Sequence, residues 1–296
     1  MNNYVGRYRS YSRCKLRGAN IEPFKNKIAI VTGGASGIGL ALCDELGARG
    51  SVVIVADINV EGARQVASAI CQRGGRAYTQ HVDVSDKNSV GKLVDNTIAQ
   101  HQRLDYMFNN AGITVTGDAR DLRLEHWCRV IDVNLWGVIY GTMAAYAIMV
   151  GQGSGHIVNT ASLGGLLPFS LNIPYATTKH AVVGLSLSLR AEAADLGIKV
   201  SVVCPGFVRS GIYQTATLLN APREKVLATI PFRLMDASKA AQTILHGVAR
   251  NQAVIVFPNY ARFLWWLYRL NASLLNPLSF KRIRSFRSVR TTIRAE

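Results

Sequence analysis

Along this chain, short runs of continuous apolar residues alternate with longer segments whose apolar positions recur at helical spacing. Residues 27–32, 52–57, 77–82, 104–109, 156–161, 199–204 and 254–257 read as strands. Residues 38–49, 60–73, 87–101, 122–150, 175–196 and 238–250 read as helices between them. A strand that is apolar on both faces is covered on both faces, and that is the pattern of a parallel sheet with helical crossovers. The prediction is an α/β fold, a doubly wound parallel sheet of about seven strands with helices on both sides. Ligands of such a sheet bind beyond the carboxyl ends of the strands. Residues 133–178 contain no Asp, Glu, Lys or Arg, but glycines and amides break the stretch. Its longest apolar piece, 135–150, is shorter than the roughly 20 residues a membrane span needs, so a buried helix and a buried strand are expected there.

The first strand-to-helix turn reads Thr32-Gly33-Gly34-Ala35-Ser36-Gly37-Ile38-Gly39. Gly33 permits a tight turn, Gly37 lets backbone approach a diphosphate, and Gly39 lets the helix pack closely on the sheet. Gly33, Ser36, Gly37, Ile38 and Gly39 therefore form a candidate cradle at a helix N-terminus, where free N–H groups and the macrodipole favour an anion. Asp57 ends the second strand, 24 residues after Gly33. A carboxylate there accepts hydrogen bonds from ribose hydroxyls and repels a 2′-phosphate, so NAD is expected in preference to NADP. This is the Rossmann arrangement.

The spacing of those glycines resembles that of the short-chain dehydrogenase/reductase (SDR) family, and later motifs agree. Asn109-Asn110-Ala111-Gly112 follows the fourth strand. Asn134 lies in the next helix, Ser162 follows the fifth strand, Tyr175-Ala176-Thr177-Thr178-Lys179 matches Y-x-x-x-K, and Pro205-Gly206 follows the sixth. The resemblance covers residues 27–257. It implies that Asn134, Ser162, Tyr175 and Lys179 are catalytic, with Asn134 holding a relay water and Lys179 also binding the nicotinamide ribose. It implies further cofactor contacts at Asp83 and Val84 beside the adenine, Asn110 and Gly112 near the adenosine ribose, and Val208 and Ser210 near the carboxamide. The family often has Thr where this chain has Ser210; the hydroxyl is kept.

The residues support the same chemistry directly. Tyr175 and Lys179 are i and i+4 and share a helix face. An ammonium beside a phenol lowers the phenol's pKa. Tyr175 is then a base in alcohol oxidation and an acid in ketone reduction, with Ser162 holding the substrate oxygen. Residues 163–169, with Ile212, Tyr213, Leu218 and Leu219, border the substrate in the family. Their apolar character implies a small apolar alcohol or ketone, such as a lipid, steroid or aromatic compound. Arg209 is the one cation in this part of the sequence placed to meet a substrate carboxylate.

Charge changes the picture only at the ends. The chain has 296 residues and a net charge of +16. Residues 1–27 carry +6 and residues 259–296 carry +7, leaving +3 on the body between. Three regions follow: a basic N-terminal extension (1–26), a Rossmann-type oxidoreductase domain (27–258), and a basic, aromatic-rich C-terminal extension (259–296). The last holds Trp265-Trp266 and a string of arginines. It is expected to lie on a membrane surface, or else to cap the pocket or pack on a sister subunit. Nucleic acid is a weaker option, since no reading motif accompanies the charge. The N-terminal segment has no apolar stretch of a secretory signal before Pro23, and its arginines and serines are similar to a transit peptide's. Five scattered cysteines, with neither C-x-x-C nor H-E-x-x-H, predict no disulfide framework and no metal site, and hence a cytoplasmic setting with at most peripheral membrane association. The two long helices resemble the family's pairing helices, implying a homodimer or homotetramer. The expected function is an NAD-dependent oxidoreductase interconverting a secondary alcohol and a ketone. The alternatives are an NADP-dependent carbonyl reductase and a non-catalytic, dinucleotide-sensing Rossmann protein.

Overall fold

The computed structural model describes residues 23–228 and 232–290; nearly all of the expected N-terminal extension lies outside the described residues. The chain opens with β1 (Ile28–Thr32), α1 (Gly37–Ala48), β2 (Val52–Asp57), α2 (Val60–Gln72), β3 (Arg76–His81), α3 (Lys87–His101) and β4 (Tyr106–Asn109). A short β5 (Val115–Thr116) leads to α4 (Leu124–Ile131), a π turn (Asp132–Trp136) and α5 (Gly137–Gln152). Then come β6 (Gly155–Thr160), α6 (Ile173–Glu192), β7 (Ile198–Pro205), α7 (Ile212–Thr215), β8 (Thr217–Leu218) and α8 (Arg223–Ala228). The described chain closes with α9 (Ala237–Ala249), β9 (Val254–Phe257), α10 (Asn259–Leu270) and α11 (Asn276–Val289).

Seven strands form one parallel sheet in the order β3-β2-β1-β4-β6-β7-β9. The order reverses direction between β1 and β4, which opens a crevice at the carboxyl ends of those strands. The apolar runs are explained by burial on both faces. Ala29 and Val31 of β1 pack with Leu42, Leu46, Ile70 and Ile244 from α1, α2 and α9. Ile30, between them, packs on the other face with Leu93, Met107, Ala145 and Met149. Each such aliphatic side chain contributes about 2 kcal/mol through burial. Asn109 at the end of β4 donates to Asn159 Oδ1 of β6 (2.8 Å) and to Thr142 Oγ1 of α5 (3.2 Å), which ties the strand ends beneath the crevice.

Two features were not predicted. The expected helix over 122–150 is interrupted by the π turn, which shifts the helix face by inserting an extra residue. β5 and β8 pair as a separate small ladder beside the crevice. The C-terminal segment folds back onto the domain. Ala261, Leu264, Trp265 and Leu267 of α10 pack on Val182, Val202 and Val256. α11 is fastened to the loop after β5: Arg287 Nε donates to Asp118 Oδ2 (2.7 Å), and Arg290 Nη2 donates to Asp121 Oδ1 (2.6 Å). Phe286 is buried beneath it.

Asp118 is buried and held well below the usual carboxylate range, first by its hydrogen bonds from Arg120, against the cost of burial, and then by Arg287. Its folded pKa thus lies below the unfolded value of about 3.9. The stabilisation is complete above that value and is lost as the pH falls through the lower, folded one. Asp118→Asn should therefore speed amide exchange in residues 276–289 at neutral pH while the sheet stays protected. In the wild type the same release should appear only on acidification below about pH 4. Unchanged protection of α11 in the variant would contradict the fastening.

Candidate active site

The glycine loop has the geometry its sequence suggests. Gly33 and Gly37 have φ of +66° and +55°, a region that side chains disfavour. A Cβ on Gly39 would lie 1.9 Å from Gly33 O and 2.7 Å from Asn110 Nδ2, so α1 passes close to the loops that follow β1 and β4. Ser36 precedes α1 in extended conformation, and neither a side-chain cap nor an acidic residue occupies the helix's first turn. The free N–H groups of that turn suit a diphosphate. Asp57 accepts from Ala35 N (3.0 Å) and Asn59 N (2.9 Å), so it steadies the loop while facing the cavity.

Thr32, whose role the sequence did not show, clips this loop to the one after β4. Its hydroxyl accepts from Asn110 N (3.0 Å) and Ala111 N (3.1 Å), while Asn110 Nδ2 donates to Thr32 O (3.1 Å). The π turn carries Asn134 inward, fully buried. Asn134 Oδ1 accepts from Ile113 N and its Nδ2 donates to Ile113 O, both at 2.8 Å. A Cβ on Gly112 would lie 3.2 Å from Asn134 Oδ1 and 3.5 Å from Lys179 Nζ, so this glycine leaves room beside both polar groups.

Tyr175 and Lys179 lie one turn apart on α6, and Lys179 Nζ stands 5.5 Å from the Tyr175 ring centre. Lys179 is 2% exposed and donates to Thr160 O at 2.7 Å. Burial pushes its pKa down to about 8, which leaves it charged at neutral pH. Burial raises the Tyr175 phenol above its ordinary value, and the hydrogen bond with Ser162 opposes that rise. The expectation of a phenol lowered by Lys179 is thus corrected for the site as it stands. Desolvation dominates, and Tyr175 is poised as an acid. Ser162 Oγ also accepts from Gly164 N (3.0 Å), which fixes its position at the end of β6.

These groups line one cavity of about 920 Å³. Gly33, Ser36, Gly37, Ile38, Asp57, Asp83, Val84, Asn110, Gly112, Ser162, Tyr175, Lys179, Val208 and Ser210 are all on its wall. Gly39 and Asn134 are not; they act from behind, through Gly33 and through the Gly112–Ile113 backbone. Of the expected substrate border, Leu163, Gly164, Phe169, Ile212, Tyr213 and Leu218 face the cavity. Leu167 instead belongs to the core, and Leu219 packs on Gly117. Arg209 is exposed and off the wall. Besides Lys179, two cations are on the wall: Arg129 of α4, and Arg282 of α11, which lies against Phe169 and read in sequence as one of a run of tail charges.

The short chain dehydrogenase family model matches residues 27–218. Cyclopentanol dehydrogenase of Comamonas sp. (strain NCIMB 9872) is 34% identical over 227 residues, covering 76% of this chain and 90% of that protein. Cyclohexanol dehydrogenase of Acinetobacter sp. (strain SE19) is 36% identical over 188 residues, covering 63% and 75%. A short chain dehydrogenase/reductase from Burkholderia phymatum, solved in complex with NAD, superposes with a TM-score of 0.79 at 25% identity over 85% of this chain and 96% of its own. The chain belongs to the short-chain dehydrogenase/reductase family. It is an oxidoreductase of alcohol and ketone groups whose Rossmann crevice binds a nicotinamide dinucleotide.

Proposed function

We propose that the protein is an NAD-dependent dehydrogenase interconverting apolar secondary alcohols and ketones. The observation that carries this reading is the convergence of Tyr175, Ser162 and Lys179 at one end of a cavity whose other end presents Asp57. The chain's own groups hold and move a proton. Ser162 Oγ holds the substrate oxygen; Tyr175 Oη gives it a proton in reduction and takes one in oxidation. Lys179 keeps a positive charge beside the phenol, and Asn134 fixes the Ile113 backbone next to it. When bound, the dinucleotide accepts or supplies the hydride and, oxidised, adds a positive charge. Its pyrophosphate is assigned to the Gly33–Gly39 loop, its adenosine ribose to Asp57 and its adenine to Asp83 and Val84. Its nicotinamide half is assigned to Lys179, Val208 and Ser210.

NAD is favoured over NADP because Asp57, on the cavity wall at the end of β2, would face and repel a 2′-phosphate. Arg64 on α2, the helix that follows Asp57, is paired with Glu61. The substrate end, with Leu163, Phe169, Phe207, Ile212 and Leu218, favours an apolar ring or chain. The names of the cyclopentanol and cyclohexanol dehydrogenases point the same way. Reduced-nicotinamide absorbance with cyclic secondary alcohols tests the assignment. NAD should give at least tenfold higher kcat/KM than NADP, and Tyr175→Phe should cut turnover by roughly 100-fold or more with NAD affinity little changed. A preference for NADP overturns the cofactor choice, and wild-type turnover by Tyr175→Phe overturns the mechanism.

A cytoplasmic location with peripheral membrane contact is a second reading, favoured by the outer face of α10 and α11. Phe263, Trp266, Leu270, Leu274, Leu278 and Phe280 are exposed there beside the exposed Arg269, Lys281 and Arg284. Aromatic rings flanked by cations suit an anionic lipid interface. The chain should co-sediment with anionic vesicles at low salt, and Phe263→Ser with Trp266→Ser should release it; protein left in the supernatant would contradict this. One helix among the described residues, Leu124–Gln152, is apolar and long enough to cross a membrane by composition, but it packs on the sheet as a core helix. Its exposed Trp136 and Met143, with Leu187 on α6, favour pairing of two or four copies. Sedimentation at micromolar concentration should show a dimer or tetramer; a monomer would contradict it.

A further inference from the structure

Arg282 lies outside the 27–218 family match, yet it lines the same cavity as Tyr175 and Ser162. Its guanidinium sits 4.2 Å from the centre of the Phe169 ring, and Phe169 in turn stands 6.5 Å from the Tyr175 ring. Phe169 thus lies against both the cation and the ring of the proposed acid/base. Nη2 donates to Asn172 Oδ1 at 2.9 Å, and no other hydrogen bond from this guanidinium is found among the described residues. A guanidinium has five N–H donors. The other arginines of this helix's inner side are matched to carboxylates: Arg287 to Asp118 and Arg290 to Asp121. For Arg282, no Asp or Glu among the described residues comes within ion-pair distance. Burial lowers its pKa to about 10, so it carries its charge at neutral pH with no carboxylate partner among the described residues.

Asn172 is itself fixed. Its Nδ2 donates to Thr116 Oγ1 (2.6 Å), Thr114 Oγ1 (3.1 Å) and Val115 O (3.2 Å), so the oxygen that receives Arg282 is immobile. The guanidinium is thus held on one side by an amide and on its face by an aromatic ring, with Tyr213 within electrostatic range. A half-buried cation with spare donors on the wall of a largely apolar cavity favours a ligand that supplies the counter-charge. A single negative charge balances it, whereas a dianionic phosphate would leave a second charge buried. The planar fork of Arg matches a carboxylate in two parallel hydrogen bonds.

Resting on the dehydrogenase reading above, we infer that Arg282 is a substrate-binding residue that receives a carboxylate, and that the preferred substrates are apolar secondary alcohols or ketones bearing a carboxylate about one ring's width from the reacting carbon. The amphipathic C-terminal segment then contributes substrate choice as well as a cap, and the alcohol chemistry of the relatives is redirected toward hydroxy and oxo acids.

The test compares 4-hydroxycyclohexanecarboxylate with its methyl ester as substrates, and the unreactive cyclohexanecarboxylate with cyclohexanecarboxamide and cyclohexyl phosphate as ligands followed by calorimetry. The wild type should prefer the acid to the ester by at least tenfold in kcat/KM, mainly through KM. In Arg282→Met that ratio should collapse by at least tenfold, and Arg282→Lys should restore part of it. Calorimetry should show the carboxylate binding more tightly than the amide or the phosphate, with this preference lost in Arg282→Met. Amide exchange over residues 276–289 checks that α11 stays docked; should Arg282→Met loosen it, the Arg282→Lys comparison carries the test. An acid-to-ester ratio unchanged by both substitutions would overturn the inference and leave Arg282 as a fastener of α11. Tighter phosphate binding would overturn the carboxylate assignment. If neither alcohol is oxidised but the inert carboxylate still binds through Arg282, the subsite stands and the alcohol reaction falls.

Discussion

A charged lysine inside a protein is the constraint around which this site is arranged. Lys179 is 2% exposed, and an ammonium so placed needs a fixed acceptor to keep its proton. The carbonyl of Thr160, at the carboxyl end of β6, supplies it at 2.7 Å. That contact requires α6 to cross close over the end of the strand. Gly165 makes the crossing possible, since a Cβ there would fall 2.5 Å from Lys179 O. Gly112 leaves room beside both Lys179 Nζ and Asn134 Oδ1, which a Cβ there would approach to 3.5 and 3.2 Å. Tyr175, one turn earlier on the same helix, is thereby set against Ser162. The charge has a clear direction of effect: it opposes the desolvation that raises the phenol's pKa.

α11 completes the wall of the cavity that the sheet begins. β1 to β4 provide the dinucleotide half, with helix and strand ends that any Rossmann crevice supplies. The other half depends on irregular pieces: the β5–β8 ladder, the Asn172 turn and α11. The ion pairs of Asp118 and Asp121 with Arg287 and Arg290 place α11, and the placement brings Arg282 to the wall. Fastening and recognition therefore use neighbouring arginines of one helix, distinguished only by whether a carboxylate of the protein awaits them.

Much of this was legible in the sequence, for physical reasons. Buried parallel strands must be apolar throughout, so the inner strands could be found from their runs, to within a residue or two; β3, at the sheet edge, is polar and partly exposed. Gly33 and Gly37 are needed for a positive φ, and Tyr175 and Lys179 share a helix face by spacing alone. What the sequence hid was tertiary. Gly39 lets α1 pass close to the loops after β1 and β4, an approach visible only once Gly33 O and Asn110 Nδ2 are placed. The position of Asn134 off the cavity wall depends on a π turn, which no periodicity reveals. Arg282 has no local signal at all, because Lys281, Arg282 and Arg284 look alike until the helix is laid across the cavity. Tyr175 was expected to be acidified, and burial, a property of the folded state, reversed the sign.

In the proposed mechanism the buried charge of Lys179 offsets part of the desolvation that raises the Tyr175 phenol. The pH dependence of kcat/KM for alcohol oxidation, measured for the wild type and for Lys179→Met at saturating NAD, tests it most directly. Removing the charge raises the pKa of the phenol, so the acid limb of the profile should move at least one pH unit toward alkali. Superimposable acid limbs, with only the amplitude reduced, would contradict the account.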